Sequence, residues 1–282
     1  MNAFKKLVAS TVLGISGAAA FVSGSAQSAW LPAEGKFQVT PSYVYQSFRN
    51  IWMGGSHEMR LSDDVIQHTA SVSLEYGLSE SFAFDTSLGY SRVDSKAFGP
   101  GVLKDDGLTD TRIGLRYRFL DERISKLEWA PTLTLRAGGI VRGTYEAGPP
   151  FAPGDGANGG EISLLAAKAF GTSGFGLYGE AGYRVRSHPV PDDFFASIGA
   201  YQTIGAFTVH TAFQNTQSLS GVNIGDPGFT FPATKEISRM IEVGVGYTDS
   251  GRRYYQIFGA VSIDGRNTGD KRILGISASF GF

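Results

Sequence analysis

The last thirteen residues of the chain, DKRILGISASFGF (270–282), decide the fold. From Leu274 onward, the side chains alternate strictly between two kinds. The apolar set is Leu274, Ile276, Ala278, Phe280 and Phe282, and the small set is Gly275, Ser277, Ser279 and Gly281. Because successive side chains of a strand point to opposite faces, this period of two predicts a β-strand with one apolar face and one small, polar face.

The aromatic C-terminus narrows the fold class. A soluble domain seldom ends on an exposed aromatic residue, whereas Phe280 and Phe282 at alternate terminal positions resemble the closing strand of bacterial outer-membrane barrels. That resemblance implies that these two residues form the signal which the barrel-assembly machinery reads. If so, the other strands should also alternate, with their apolar faces towards lipid, and the chain should begin with an export signal.

The N-terminus carries the features of such a signal. Lys5 and Lys6 precede an apolar, small-residue run at 7–22, and small residues suited to a signal peptidase follow at 24–28. The run is too short and too rich in glycine and alanine for a good membrane-spanning helix. We therefore predict a cleaved signal peptide at 1–28 and one domain, a barrel, at 29–282. An uncleaved N-terminal membrane anchor is the alternative.

Composition excludes several functional classes. After removal of the predicted signal, 23 basic residues face 26 acidic residues, a formal net charge of −3, which gives no basic field for nucleic acid. The absence of cysteine excludes a disulfide framework and thiol chemistry. The 38 glycines, the 12% aromatic content and the lack of a second run of 18 apolar residues favour a barrel of short strands.

Twelve alternating segments can be read along the chain. We expect strands near 36–47, 67–76, 82–91, 110–119, 129–141, 161–170, 175–186, 194–202, 207–216, 238–247, 253–262 and 270–282. Five short connections alternate without exception with six longer ones. This pattern predicts an all-β fold, a transmembrane antiparallel up-and-down β-barrel of about twelve strands, with periplasmic turns, longer outer loops and both termini in the periplasm.

Aromatic residues concentrate beside the short connections. They are Tyr76, Phe82, Phe84, Tyr117, Phe119, Trp129, Phe170, Phe175, Tyr247, Tyr254, Phe280 and Phe282. We interpret them as an interfacial girdle. A soluble β-sandwich also permits short alternating strands, but it requires neither the export signal, nor the terminal phenylalanine, nor the regular alternation of connections.

Several short motifs carry a family resemblance. They are WLP at 30–32 with Gly35, EYGLS at 75–79, DGLTD at 106–110 leading into GLRYR at 114–118, and FGF at 280–282. These motifs resemble the meta-pathway phenol-degradation transporter family of outer-membrane proteins, although Thr109 replaces the second glycine of the family's Gly-x-Gly-Asp pattern. The resemblance implies a barrel that passes aromatic or other small apolar molecules.

The sequence offers little for catalysis. A barrel hydrolase needs an inward serine beside a histidine, and His210 alone of the four histidines is predicted to be suitably placed, without a Ser-His pattern around it. Phosphate-binding loops and the ligand spacings of zinc and calcium sites are also missing. We predict no enzymatic activity, no cofactor and no metal site. A membrane-embedded hydrolase and a structural or adhesion barrel without flux are the alternatives.

Charged residues on the predicted inner faces form the main candidate site. They are Arg112, Arg116, Arg118, Arg136, Arg184, Arg186, Glu75, Asp85, Asp110, Glu180 and Glu242. If these charges pair, they hold the barrel shut or rigid. If they border water, they form a polar track that passes or selects solutes. The sequence leaves both interpretations open.

Two long outer loops, 143–160 and 219–236, are apolar for segments that should face water. Their rings either line an aromatic entrance for solute or pack against one another and against surface glycolipid. The candidate entrance residues are Tyr145, Phe151, Phe229 and Phe231. We therefore expect a monomeric outer-membrane channel for passive passage of small aromatic or apolar solutes, with membrane lipid, the barrel-assembly machinery and the solute as partners, and no nucleic acid.

Overall fold

The computed structural model describes residues 29–54, 57–97, 103–127, 129–146 and 152–282. The strands are β1 (Phe37–Met53), β2 (His57–Gly77), β3 (Phe82–Ser95), β4 (Leu103–Leu108), β5 (Thr111–Leu120), β6 (Thr132–Val141), β7 (Gly159–Ala169), β8 (Phe175–Arg186), β9 (Asp193–Ile204), β10 (Phe207–Ser218), β11 (Ile237–Thr248), β12 (Tyr254–Arg266), β13 (Thr268–Gly269) and β14 (Arg272–Gly281). A 3-10 turn spans Phe231–Ala233. Within the described ranges, no helix is long and apolar enough to cross a membrane. The predicted signal peptide and Phe151 lie outside the described residues.

Twelve of the fourteen strands close into a barrel, as predicted. Each pairs antiparallel with the next, and β1 pairs with both β2 and β14, so that Val39 lies opposite Leu74 on one side and Phe280 on the other. The two extra strands are short: β4 pairs with β3, and β13 pairs with β1. Closure leaves no free sheet edge among the twelve strands.

The outward face of the wall is apolar and the inward face is small or polar. In β5, the side chains of Ile113, Leu115 and Phe119 are exposed, whereas Gly114 and Arg116 between them are buried. The predicted assignment of faces is therefore correct in this strand. An exposed apolar surface on the outside of a closed barrel matches what lipid requires.

The long connection expected between the first two predicted strands, at 48–64, is instead mostly strand, because β1 and β2 continue until Met53 pairs with His57. The register shifts between Phe48 and Asn50, which breaks the simple alternation along the extension. The extension is stabilised by an apolar cluster at the long-loop end, formed by Phe48, Ile51, Leu61, Val65 and Val93. These contacts join distant segments, so local pattern alone did not predict them.

A segment before β1 lies against the inner wall near the short-turn end. Thr134 Oγ1 donates to the carbonyl oxygen of Ala29 at 2.7 Å, and the Trp30 indole donates to Glu122 Oε1 at 3.0 Å. Ala29 also covers Leu165 of β7, an inward leucine that breaks the polar inner pattern of that strand. The segment narrows the lumen at this end.

Candidate functional site

An alternating series of acids and arginines follows the inner wall from β2 to β9, and we call it the ion-pair chain. Its links are Glu75–Arg116 at 2.6 Å, Arg116–Asp85 at 3.4 Å, Asp85–Arg136 at 2.8 Å, Arg136–Glu161, Glu161–Arg184 at 3.1 Å, Arg184–Asp193 at 3.2 Å, Asp193–Arg186 at 3.7 Å and Arg186–Asp155 at 2.6 Å. The ion-pair chain starts at Glu75 on β2, near a short turn, and ends at Asp155 in the long loop between β6 and β7. The four arginine side chains are buried.

Six of the eleven predicted charged residues belong to this ion-pair chain. Its other three members, Glu161, Asp193 and Asp155, were missed by sequence reasoning. Glu161 is the first residue of the segment predicted as the sixth strand, Asp193 directly precedes the segment predicted as the eighth strand, and Asp155 lies in a loop. Which carboxylate pairs with which arginine depends on the pairing register of seven strands, and that register cannot be read from the sequence.

The remaining predicted charges lie elsewhere. Arg112 lines the cavity at the long-loop end, and Glu180 is buried on the inner face of β8. Arg118 lies at the short-turn rim, where it pairs with Asp121 at 3.2 Å and donates to the carbonyl oxygen of Glu80. Glu242 contacts His210 Nε2 at 3.2 Å on the opposite wall.

A second part of the lumen, which we call the ring wall, is lined by large rings from β8 to β12. Its members are Tyr178, Phe195, Tyr201, His210, Tyr254 and Phe258, and the glycines that face them are Gly199, Gly182, Gly176, Gly244, Gly246 and Gly275. Tyr178 and Gly199, for example, are direct cross-strand partners, and a Cβ at Gly199 would overlap the tyrosine ring. The rings therefore pack along the wall over glycine, as in aromatic rescue, and five of the six are buried there.

A third part, which we call the hydroxyl wall, consists of short serine and threonine side chains on β14, β1, β2 and β3. Its side chains pair across strands: Thr40 with Ser279 at 2.8 Å, Ser42 with Ser71 at 2.6 Å, and Thr69 with Ser91 at 2.9 Å. Because these residues are small, space remains in front of them. A cavity of about 430 Å³ lies there, bounded across the lumen by Arg112, Arg184 and Arg186.

Two long loops roof this cavity with residues 152–155 and with Phe231, Pro232 and Thr234. Phe231 lines the cavity, and Phe229 packs edge-on against it with 4.8 Å between ring centroids. Tyr145 is buried instead, where it holds its own loop. Its hydroxyl donates to Asp110 Oδ1 at 2.7 Å and accepts from Gly156 N at 2.6 Å. Burial and the bond to Asp110 raise the pKa of Tyr145, which keeps its hydroxyl protonated as a donor.

Asn267 connects the loop at 219–236 to the tip of the β1–β2 hairpin. Its Oδ1 accepts from Gly54 N at 2.8 Å and Ile224 N at 3.1 Å, and its Nδ2 donates to the carbonyl oxygen of Lys235 at 2.8 Å. The residue is buried and has a φ of 51°, a left-handed conformation that asparagine tolerates better than most residues. Sequence reasoning missed it, because a lone asparagine gives no spacing signal.

The terminal phenylalanines lie at the seam between β14 and β1. Phe37 and Phe282 exchange backbone hydrogen bonds at 2.9 and 3.2 Å. The side chain of Phe282 points outward and is largely exposed, and Phe280 packs edge-on against Tyr255 with 6.3 Å between centroids. The last residue therefore completes the closure of the barrel.

No protein-family model matches the sequence, and no curated protein does. Among solved structures, an outer-membrane channel from Pseudomonas putida F1 is similar, with a TM-score of 0.72 at 12% identity over 93% of this chain and 100% of that chain. The KdgM porin aligns with a TM-score of 0.49 at 7% identity over 86% of this chain and 99% of that one. The toluene transporter TodX of Pseudomonas putida aligns at 0.43, with 12% identity over 94% and 93%. The chain is a closed twelve-stranded antiparallel barrel and shares the fold of the outer-membrane channel from Pseudomonas putida F1.

Proposed function

We propose that this protein is a monomeric outer-membrane channel through which small solutes pass passively. The observation that carries the proposal is the cavity of about 430 Å³ between the hydroxyl wall and the arginines, inside a closed barrel with an apolar exterior. Such a space, bordered by fixed charges and hydroxyls, suits a solute of small size better than a macromolecule.

We also propose the orientation and the assembly route. The short turns and both termini face the periplasm, the long loops face outward, and residues 1–28 are a cleaved export signal. Phe280 and Phe282 are the signal for the barrel-assembly machinery. The alternation of short and long connections supports the orientation, and the position of Phe282 at the closing seam supports the assembly role.

We propose small aromatic solutes as the substrate class. Phe231, Pro153 and Pro232 line the cavity beneath the outer loops, whereas the six rings of the ring wall do not line it. Rings and prolines offer apolar contact to an aromatic solute, while the hydroxyl wall can hydrogen-bond a polar substituent. The resemblance to phenol-degradation transporters agrees with this substrate class.

Liposome swelling tests the proposal against a barrel without flux. Proteoliposomes that contain the folded protein should swell in an isotonic solution of arabinose and should swell much less in the larger sugar raffinose, because the cavity has room for small solutes alone. Swelling no faster than that of protein-free liposomes would contradict the proposal. In the same preparation, ester hydrolysis that disappears on His210→Ala would favour the hydrolase instead.

Replacing Phe229 and Phe231 together by serine should lower the uptake of an aromatic solute about fivefold, which corresponds to about 1 kcal/mol of lost ring contact. Uptake is measured in cells that express the protein, and conductance in planar bilayers should stay nearly unchanged. Leu219→Ser is the matched control, because Leu219 is exposed near the start of the same loop. Aromatic uptake at the wild-type rate in the double variant would show that Phe229 and Phe231 do not form an entrance for the solute.

A further inference from the structure

The cavity at the long-loop end contains a buried pair of arginines with unused donors. Arg184 and Arg186 both line it, and their side chains are 5% and 3% exposed. Within the described ranges, Arg184 Nη2 and Arg186 Nε and Nη1 are buried without a hydrogen-bond partner. Buried guanidinium donors are normally satisfied, so these donors mark a place where an additional acceptor would be stabilised.

The acids around Arg186 lie at different distances from its guanidinium group. Asp193 and Asp110 lie 3.7 and 3.9 Å from its nitrogens, which is too far for a hydrogen bond. Asp155 Oδ2 lies 2.6 Å from Nη2. Among the described residues, Asp155 is thus the carboxylate that directly engages the Arg186 guanidinium, whereas Asp192 accepts from its backbone N–H.

Asp155 is also the member of the ion-pair chain that is least fixed by the barrel. It alone of the nine lies outside a strand, and its side chain is 44% exposed, whereas the other acids of the chain are at most 15% exposed. The loop that carries it also forms the roof of the cavity at 152–155. Moving this one carboxylate would therefore move part of the roof.

We propose that Arg186, supported by Arg184, is a binding site for the carboxylate of a small solute, and that Asp155 occupies this site as a tethered competitor until solute arrives. A free carboxylate presents the same planar acceptor to the guanidinium and can also reach the unused donors. Its binding displaces Asp155, so that the loop at 152–158 keeps its hydrogen bond from Gly156 to Tyr145 but loses its contact with Arg186 and loosens at the mouth. The contact that binds the solute therefore also opens the roof of the cavity.

The competition has a predictable concentration range. A carboxylate on a short tether acts at an effective concentration on the order of millimolar, so a free carboxylate competes at millimolar concentrations. Phe231 and Pro153 also line the cavity, so an aromatic carboxylate gains apolar contact that acetate lacks. Benzoate is therefore the probe, and benzamide, which has nearly the same shape without the charge, is its control. The inference rests on the proposed channel function, whose solute it specifies further.

Hydrogen exchange followed by mass spectrometry tests the release without requiring flux. In the reconstituted wild-type barrel at constant ionic strength, millimolar benzoate should speed amide exchange at 152–158 roughly tenfold, and benzamide should not. Asp155→Asn should exchange fast without benzoate and respond little to it. The matched control is Asp226→Asn on the other long loop, where the carboxylate accepts from Asn223 at 2.9 Å; this variant should behave like wild type.

Two results would overturn the inference: exchange at 152–158 that ignores benzoate in the wild type, or wild-type exchange in Asp155→Asn. If the same preparation conducts ions, such a result contradicts the carboxylate site but not the channel function. A benzoate-dependent loop in a folded barrel that passes neither ions nor arabinose supports the site and instead contradicts the channel function. The two proposals can therefore fail separately.

Discussion

Replacing Arg136 by methionine is expected to lower the free energy of unfolding of the barrel by about 3 to 5 kcal/mol. Arg136 lies at the middle of the ion-pair chain, between Asp85 and Glu161, and all three side chains are buried. Methionine fills much of the space but leaves both carboxylates with less compensation, and an undercompensated buried charge costs more than a lost surface pair. The measurement is equilibrium unfolding in urea, followed by heat-modifiable migration on gels.

Two further variants sharpen this test. Arg239→Met removes an exposed pair with Asp264 and should cost at most about 1 kcal/mol. Adding Asp85→Asn to Arg136→Met should recover part of the loss, because Arg116 retains Glu75 while one stranded carboxylate disappears. Equal stability of Arg136→Met and wild type would show that the ion-pair chain does not hold the barrel together.

Replacing Phe282 by aspartate is expected to leave export intact and to remove most of the folded barrel from the outer membrane. The change places a charge at the outward face of the closing seam, where Phe282 exchanges backbone hydrogen bonds with Phe37. It also deletes the aromatic terminus that we propose as the assembly signal. Phe282→Tyr, which keeps the ring, should assemble normally.

Heat-modifiable migration of the outer-membrane fraction reports how much barrel has assembled. Wild-type amounts of the folded form in Phe282→Asp would contradict the assembly role. If the protein accumulates in the cytoplasm with its N-terminal segment uncleaved, the defect lies in export, and that result would also contradict this explanation.

The strands were predictable because each carries its own evidence. Strand β5 alternates Ile113, Leu115, Tyr117 and Phe119 with Gly114 and arginines. That alternation is typical of a strand in a closed barrel that faces lipid on one side and the lumen on the other. The length of β1 and β2 was not predictable in the same way. Their extension depends on an apolar cluster that includes Val93 from another hairpin, and on a register shift that interrupts the alternation.

The candidate site was predictable in its members more than in its organisation. Inward arginines stood out on the polar faces of β5, β6 and β8, but Asp155 could not be linked to Arg186 because a loop has no register from which to infer a contact. The ring wall shows the same limit. Tyr178 and Gly199 are each visible in the sequence, yet only strand pairing shows that one packs over the other.

Single-channel recording in planar lipid bilayers tests the central claim, that this lumen passes small solutes, most directly. The purified, folded protein should produce discrete steps of ion conductance. The steps should be small, because the N-terminal segment and the ion-pair chain occupy part of the lumen. If no steps appear in bilayers that contain barrel verified as folded by its heat-modifiable migration, the claim that this protein is a channel is wrong.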